Sequence, residues 1–515
     1  MTAKPRTIAS SALSGIRWNY VGGIGASFCS LTISVVLARI LGPKPFGQII
    51  IAMTIYGFLN LFVDGGFSQA LIQRAALSER DIRITFTWQI GIGACTTGLV
   101  YLCAPWFARL FHDASAVHVI RVMSFLIVIQ ATGLVSAALL RREMRFKVVQ
   151  FAYLTSFLFG YLVIGIPMAF HGAGVWSLVC ACIAQCVVNT LLLHRSAKHS
   201  LTPIFALPER SITSFGSTMI ANNVVNWGHS NLDNIAASRL GPIALGLYGR
   251  GSNFAYQPVN TVVNGLQSVL LSSTARVQEK RELMRDLTLA VMGIVFGVLG
   301  AAYATFALTP DTVMLGLYGG KWVALIPIMV PLALAMPFYG VHCLLGPILC
   351  GLGRPDLEFW PQAASCAIAA CAFFTATRFS ILALAWALFG VMLIRLGMIA
   401  GFLFHLLKIS WPNALLLVAR RVVFSACFGG LAWCADHLLR TARLAVTERL
   451  GALVVFCGIA LAWSVWYAGN LIFGHQAVRF LRNYAAHLPR AYVEQLNRQA
   501  GMSRPAIVPT FLGNP

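Results

Sequence analysis

Residues 117–147, VHVIRVMSFLIVIQATGLVSAALLRREMRFK, contain a pattern from which the architecture of the chain can be inferred. The first 24 residues are predominantly apolar, and four basic residues follow within the next seven positions. A hydrocarbon core about 30 Å thick needs about 20 residues of helix to cross, and a helix satisfies its own backbone hydrogen bonds there. The stretch therefore predicts one membrane-spanning helix followed by a basic cytoplasmic loop.

The same pattern recurs along the whole chain of 515 residues, which is 58% hydrophobic and only 10% charged. A water-soluble fold would need far more polar surface. The apolar runs predict an all-α integral membrane protein with about fourteen transmembrane helices. The predicted spans are residues 16–41, 46–66, 86–107, 117–140, 148–170, 173–193, 212–240, 245–271, 287–308, 323–349, 359–377, 381–405, 422–439 and 450–473.

The net charge of +22 has a topological explanation, because basic residues near span ends are retained on the cytoplasmic side. With the N-terminus inside, 26 basic residues fall on the cytoplasmic side and 10 on the other, while Arg121 and Arg395 lie within spans. Both termini are therefore predicted to be cytoplasmic. The weakest point of the asymmetry is the segment from Arg440 to Arg449, where three arginines lie outside. No basic patch with interleaved aromatic residues is present, so nucleic acid is not an expected partner.

Chemistry by a metal, a cofactor or a covalent intermediate is not predicted. Eleven of the thirteen cysteines, from Cys29 to Cys457, lie well inside apolar runs, where a thiol behaves as a small apolar side chain. Gly319-Gly320-Lys321 lacks the spacing and the following hydroxyl residue of a phosphate-binding loop. We therefore expect no metal, no cofactor and no enzymatic activity.

A short motif occurs twice. Leu41-Gly42-Pro43, with Gly47 following, recurs as Leu240-Gly241-Pro242 with Gly246, at an offset of 199 residues. Each copy lies at the junction between an odd-numbered span and the next one. Parallel repeats related by an axis along the membrane normal would produce this offset, and they are a known plan of transporters.

The repeat predicts the domain organisation. Two six-helix lobes, residues 1–194 and 212–408, are expected to be related by a pseudo-two-fold axis along the membrane normal and joined by a cytoplasmic linker at 195–211. Two additional transmembrane helices at 409–473 and a cytoplasmic tail at 474–515 complete the chain.

The seventh predicted span carries an unusual set of polar residues. Asn222, Asn226, His229 and Asp233 are spaced by four, three and four residues, which places them on one face of a helix. A charge at the centre of a bilayer costs about 2.5 to 3.5 kcal/mol on insertion scales, so such groups should face a cavity or a partner. We interpret the stripe as the wall of a hydrated chamber that accommodates sugars. Hydrogen bonding between helices is the alternative.

Isolated arginines add further candidates. Arg395, near the middle of the twelfth span, needs an anion, a carboxylate or water close by. Arg17 lies at the cytoplasmic mouth of the first helix, where a phosphate contact and interfacial anchoring are both open. Arg39, Arg239 and Arg250 lie at the outer ends of the repeat-related helices, where snorkelling of the charge towards water is the ordinary explanation.

Several segments, in order between residues 15 and 408, carry a family resemblance. They are VLARILGPKPFG at 36–47, ALIQR at 70–74, LLRREMRF at 139–146, NLDN at 231–234, RLGP at 239–242, GLY at 246–248, YGGKW at 318–322 and GLGRPD at 351–356. These segments resemble the Wzx-type oligosaccharide flippases, especially their colanic-acid-exporter-like branch. The resemblance implies a member of the multidrug/oligosaccharidyl-lipid/polysaccharide transporter superfamily, in which two six-helix lobes enclose a central cavity.

The resemblance also implies a substrate. Members of the family move oligosaccharide repeat units, carried on undecaprenyl pyrophosphate, from the cytoplasmic to the periplasmic leaflet of the cell inner membrane for exopolysaccharide, capsule or O-antigen assembly. The implied partners are the lipid-linked oligosaccharide, membrane lipid, and the polysaccharide polymerase and export machinery. Two other functions remain open at this stage: a cation-coupled extruder of drugs, and a membrane glycan polymerase, which would usually need a substantial outer loop.

A mechanism follows as a hypothesis. Arg17, Arg250 and Arg395 are candidates for contact with the pyrophosphate, and the stripe from Asn222 to Asp233 for contact with the sugar. Asp233 departs from simple expectation, because it puts an acid beside a cavity expected to receive an anion. It could pair with an arginine, bind a coupling cation or accept hydrogen bonds from sugar hydroxyls.

Overall fold

The computed structural model describes residues 25, 29–64, 66–73, 77–198, 200, 202–206, 210–277, 281–352 and 356–467. Within these ranges the secondary structure is helical and contains no strand. The helices are α1 Cys29–Ile40, α2 Pro43–Asp64, α3 Phe67–Gln73, α4 Glu79–Leu110, α5 Val117–Arg142, α6 Phe146–Leu158, α7 Ile166–Phe170, α8 Val175–Ala197, α9 Arg210–Ser238, α10 Pro242–Val277, α11 Arg281–Leu308, α12 Pro310–Tyr318, α13 Ile326–Gly351, α14 Asp356–Ala376, α15 Ile381–Leu407, α16 Trp411–Thr441 and α17 Val446–Tyr467. A π-helical segment, Phe159–Gly165, joins α6 to α7, and 3₁₀ segments occupy Ala114–Ala116 and Gly320–Leu325.

The described part of each predicted span is helical apart from a few residues at its ends, and the prediction of an all-α membrane protein is confirmed. Nine helical stretches among the described residues are long and apolar enough to cross a membrane. Helix α9 is not among them, because it carries the polar stripe and further asparagines and serines along its length. The number of fourteen crossings stays a prediction.

Local sequence signals explain where several helices begin. Helix α4 starts with a capping box, in which the Ser78 side chain accepts from the Asp81 N–H and the Asp81 side chain accepts from the Ser78 N–H. The two copies of the repeated motif share one turn: Gly42 and Gly241 have φ of 84° and 91°, a backbone conformation that glycine adopts without strain. In each copy the next residue is a proline that begins α2 or α10.

The described chain forms two compact units. The first comprises Met1–Phe254, Leu317–Ile328 and Cys366–Ala387. In this unit α4 packs along α5, and α5 packs along α8. The π segment lies directly against α8, because a Cβ at Gly160 would be 2.5 Å from the Ala181 carbonyl oxygen.

The second unit comprises Ala255–Gly316, Met329–Ser365 and Leu388–Pro515. Its main interface is formed by α11 and α16, which are held together through small residues. The Ser425 hydroxyl donates to the Phe296 carbonyl oxygen at 3.1 Å. One turn along α16, a Cβ at Gly429 would approach Ala304 to 3.0 Å.

An ionic cluster around the buried carboxylate of Asp436 joins three helices of this second unit. Asp436 on α16 is only 1% exposed, accepts hydrogen bonds from Thr312 and Arg440 at 2.7 Å each, and lies 3.9 Å from the Arg449 guanidinium. Arg440 also forms an ion pair with Asp311. Two of the three arginines that weaken the charge asymmetry therefore have acidic partners and a structural role.

Candidate functional site

A cavity of about 350 Å³ lies inside the first unit, among α1, α2, α8, α10 and the end of α6 with its π segment. Much of its wall is apolar and comes from the facing sides of α1 and α2. The polar side chains that line it are Ser30, Ser34, Tyr161, Cys182, Arg250 and Asn253. A space with an apolar wall and a few polar groups is typical of a ligand site.

Arg250 is the cation of this cavity. It lies eight residues beyond Pro242 on α10, which is about 12 Å along the helix. Its guanidinium carbon lies 4.9 Å from the centre of the Phe46 ring and 5.2 Å from the centre of the Tyr318 ring. The guanidinium therefore packs against two aromatic rings in the structure, and snorkelling does not describe this contact.

The Arg250 guanidinium retains unused hydrogen-bonding capacity. Its Nε and Nη2 atoms are buried and have no acceptor among the described residues. Removing such a cation from water costs several kcal/mol, whereas a cation–π contact returns about 0.5 to 2 kcal/mol. The contacts with the two rings therefore do not recover the full free energy of desolvation, and a bound anion would offset the remainder. A guanidinium matches the geometry of phosphate oxygens through two parallel hydrogen bonds.

Tyr161 was not predicted as a site residue. It belongs to the π segment, and its hydroxyl lies 3.1 Å from the Cys182 Sγ, which also lines the cavity. Such segments occur frequently at functional sites. Gly160 and Gly165 provide the room for this local geometry against α8. These two glycines are the only trace of the segment in the sequence, because hydropathy does not distinguish a π turn from an α turn.

The predicted polar stripe on α9 changes its surroundings along its length. Asn226 is exposed, His229 is half-buried and Asp233 is buried, while the side chain of Asn222 lies outside the described residues. Asp233 accepts a hydrogen bond from the hydroxyl of Tyr248 on α10 at 3.1 Å. The observed partner of the acid is therefore a tyrosine of the next helix.

The remaining predicted arginines do not all belong to the unit that contains the cavity. Arg395 is buried on α15 in the second unit, whereas Arg250 belongs to the first. Arg17 lies outside the described residues. In the first unit, the Nε atom of Arg39 donates to the Leu317 carbonyl oxygen at 2.7 Å, and Arg239 stacks at 4.5 Å over the ring of Phe374.

The architecture defines the protein as an all-helical, multi-pass membrane protein. A solved structure of the lipid II flippase MurJ, in an inward closed conformation, superposes with a TM-score of 0.69. The superposition covers 89% of this chain and 100% of that chain at 13% sequence identity. At this identity the similarity shows the fold alone.

The chain belongs to the family of polysaccharide biosynthesis proteins, whose profile matches residues 36–327. It is 26% identical to the succinoglycan biosynthesis transport protein ExoT of Rhizobium meliloti (strain 1021), over 69% of this chain and 72% of that protein. It is 21% identical to the lipopolysaccharide biosynthesis protein WzxC of Escherichia coli (strain K12), over 68% of this chain and 72% of that protein. The family predicted from the sequence motifs is confirmed.

Proposed function

We propose that this protein is a flippase for oligosaccharide repeat units linked to undecaprenyl pyrophosphate. It moves them from the cytoplasmic to the periplasmic leaflet of the inner membrane, for exopolysaccharide, capsule or O-antigen assembly. The barrier is the transfer of a polar headgroup through hydrocarbon, and no covalent step is required. In this proposal the protein is a transporter and not an enzyme. The two six-helix lobes alternate access to the headgroup while the polyprenyl chain stays in lipid.

The observation that carries the proposal is the Arg250 guanidinium, which lines the cavity with Nε and Nη2 lacking acceptors among the described residues. A pyrophosphate supplies oxygens for both nitrogens. Arg17 and Arg395 are proposed as further contacts of the anion along its route. No cofactor or metal ion is part of this mechanism.

Sugar contact is proposed for the α9 stripe, from Asn222 to Asp233. Asn226 is exposed and His229 is half-buried, and we assign the sugar contact to these two members of the stripe. Asp233 contributes by holding Tyr248 on α10. The proposed partners are the lipid-linked oligosaccharide, membrane lipid, and the polysaccharide polymerase and export machinery. Nucleic acid is not among them.

Leaflet exchange in proteoliposomes tests the function. The full-length protein is reconstituted with a fluorescent polyprenyl-pyrophosphoryl oligosaccharide, and exchange is scored by quenching of the outer leaflet. Because hydrogen bonds to charged groups contribute about 1.5 to 3 kcal/mol, Arg250→Gln should slow exchange by about tenfold or more. Arg250→Lys keeps the charge without the paired donors, so an intermediate rate is expected.

Arg121→Gln is the matched control, because Arg121 also stacks on a tyrosine, at 5.2 Å from the ring centre of Tyr101. Its exchange rate should equal that of the native protein. Unchanged exchange in Arg250→Gln would remove the anion contact from the mechanism. Accumulation of a fluorescent organic cation, without any exchange of the glycolipid, would favour the drug extruder instead.

A further inference from the structure

The segment of residues 317–325, named here the clamp segment, is hydrogen-bonded to the last turn of α1. The indole Nε1 of Trp322 donates to the Ala38 carbonyl oxygen at 2.9 Å, and the Lys321 ammonium donates to the Ile40 carbonyl oxygen at 2.6 Å. Carbonyls in the last turn of a helix lack partners within it, and a cation is favourable at that end. The clamp segment therefore satisfies the end of α1.

The same tryptophan belongs to an aromatic cluster. Its ring lies 5.7 Å from that of Phe46 and 5.6 Å from that of Tyr318, centre to centre. These are the two rings on which Arg250 stacks. Trp322 is fully buried and Tyr318 is 2% exposed, so neither ring can move without a change in its neighbours. The ring of Phe46 and the ring of Tyr318, which itself belongs to the clamp segment, thus connect Arg250 to Trp322.

The two copies of the repeated motif meet beside this cluster. A Cβ at Gly47 would overlap the carbonyl oxygen of Pro242, and a Cβ at Gly246 would overlap that of Pro43. The contact is reciprocal, as two-fold-related segments require. We name it the glycine–proline contact. It joins the start of α2 to the start of α10, one residue from Phe46.

We propose that Phe46, Tyr318 and Trp322 are positioning residues that couple an anion on Arg250 to the opening of the glycine–proline contact. The proposal rests on the proposed function, in which Arg250 receives the pyrophosphate. An anion draws the guanidinium off the two rings, because hydrogen bonds to a charged acceptor are stronger than contacts with a ring. The rings then lose the cation that holds them, and the clamp segment loses its support. An anion with higher affinity for the open arrangement shifts the population towards it.

Spin labels at Lys44 and Ile243 measure this contact directly. Both side chains are exposed, they are related by the 199-residue offset, and each follows the proline of its motif. Labels are attached through noncanonical amino acids, so that all native cysteines are kept. Pulsed dipolar spectroscopy of the full-length protein in nanodiscs then gives the ratio of short to long distances.

A double-mutant cycle tests the coupling without any substrate. Trp322→Phe keeps a ring but removes the indole donor, and Arg250→Gln removes the cation. If both act through the shared rings, their effects on the distance ratio are non-additive, by a factor of at least about threefold. A factor near one would overturn the proposal. The control cycle replaces Arg250→Gln by Arg121→Gln, which acts on a separate ring and should give a factor near one.

Lys321→Met is a second and milder variant, because this exposed side chain contributes one hydrogen bond to the clamp. It should raise the population at long distance by about tenfold, the effect expected from losing a hydrogen bond of a charged donor. An unchanged distribution would show that the clamp does not hold the contact. Failure of leaflet exchange with intact coupling would refute the proposed function, and exchange without coupling would refute the present inference.

Discussion

At the scale of the residue, Asp233 shows how far a sequence pattern can be taken. The spacing of polar residues predicts that it shares a helix face with Asn226 and His229, and the three do follow one another along α9. The pattern does not reveal its partner, because Tyr248 lies on the next helix. Whether Asp233 pairs with a tyrosine or with an arginine depends on how α9 and α10 pack. Tyr248 is fully buried, and a buried hydroxyl ordinarily forms a hydrogen bond inside the protein.

The partner makes a specific prediction about stability. Asp233→Asn keeps an acceptor for the Tyr248 hydroxyl and should leave the unfolding midpoint in detergent close to native. Asp233→Leu removes the carboxylate that accepts from that buried hydroxyl, and loss of such a hydrogen bond costs about 1 to 3 kcal/mol, so its midpoint should fall. Ser230→Leu, at an exposed position of the same helix, is the matched control. Equal midpoints for the two Asp233 variants would contradict a role for the hydrogen bond.

At the scale of the element, hydropathy locates helices well and their ends poorly. The predicted span 86–107 became α4, Glu79–Leu110, whose 32 residues extend about 48 Å. Its true start is encoded by the capping box at Ser78 and Asp81, a polar signal to which a search for apolar runs is insensitive. The π segment and the 3₁₀ part of the clamp segment, Gly320–Leu325, have no such signal, because tertiary packing determines their geometry.

Neighbouring glycines of α16 give a prediction at this scale. Gly429 faces Ala304 on α11, whereas a Cβ at Gly430 would meet open space. Gly429→Leu should therefore force the two helices apart and lower the free energy of unfolding by about 1 to 3 kcal/mol. Gly430→Leu is the control and should be neutral or slightly stabilising, because leucine is the better helix former. Thermal unfolding monitored by tryptophan fluorescence measures both, and equal destabilisation would contradict the packing of α11 on α16.

At the scale of the whole molecule, some contacts between distant parts of the chain can be predicted from the sequence and others cannot. The repeated motif is visible at an offset of 199 residues, and its copies adopt the same turn and contact each other reciprocally. The ion pair between Arg440 and Asp311 cannot be predicted from the sequence, because neither segment contains a pattern that specifies the other. Arg250 could be selected as a cation at the outer end of its helix, but the rings of Phe46 and Tyr318 around it depend on the fold.

The orientation in the membrane is the remaining prediction of the charge count, and the ionic cluster strengthens it. Of the 10 basic residues assigned to the outside, Arg440 and Arg449 are paired with acids, so their charge is partly neutralised. The excess of unpaired basic residues on the cytoplasmic side, which holds 26, is therefore larger than the plain count indicates. A short epitope inserted in the turn at residues 442–445 should be reached by antibody in spheroplasts of the producing cell. An epitope after residue 515 should be reached only after permeabilisation. Basic loops resist translocation. The inverted result would therefore place most of the basic residues outside, and it would contradict the orientation predicted from the charge count.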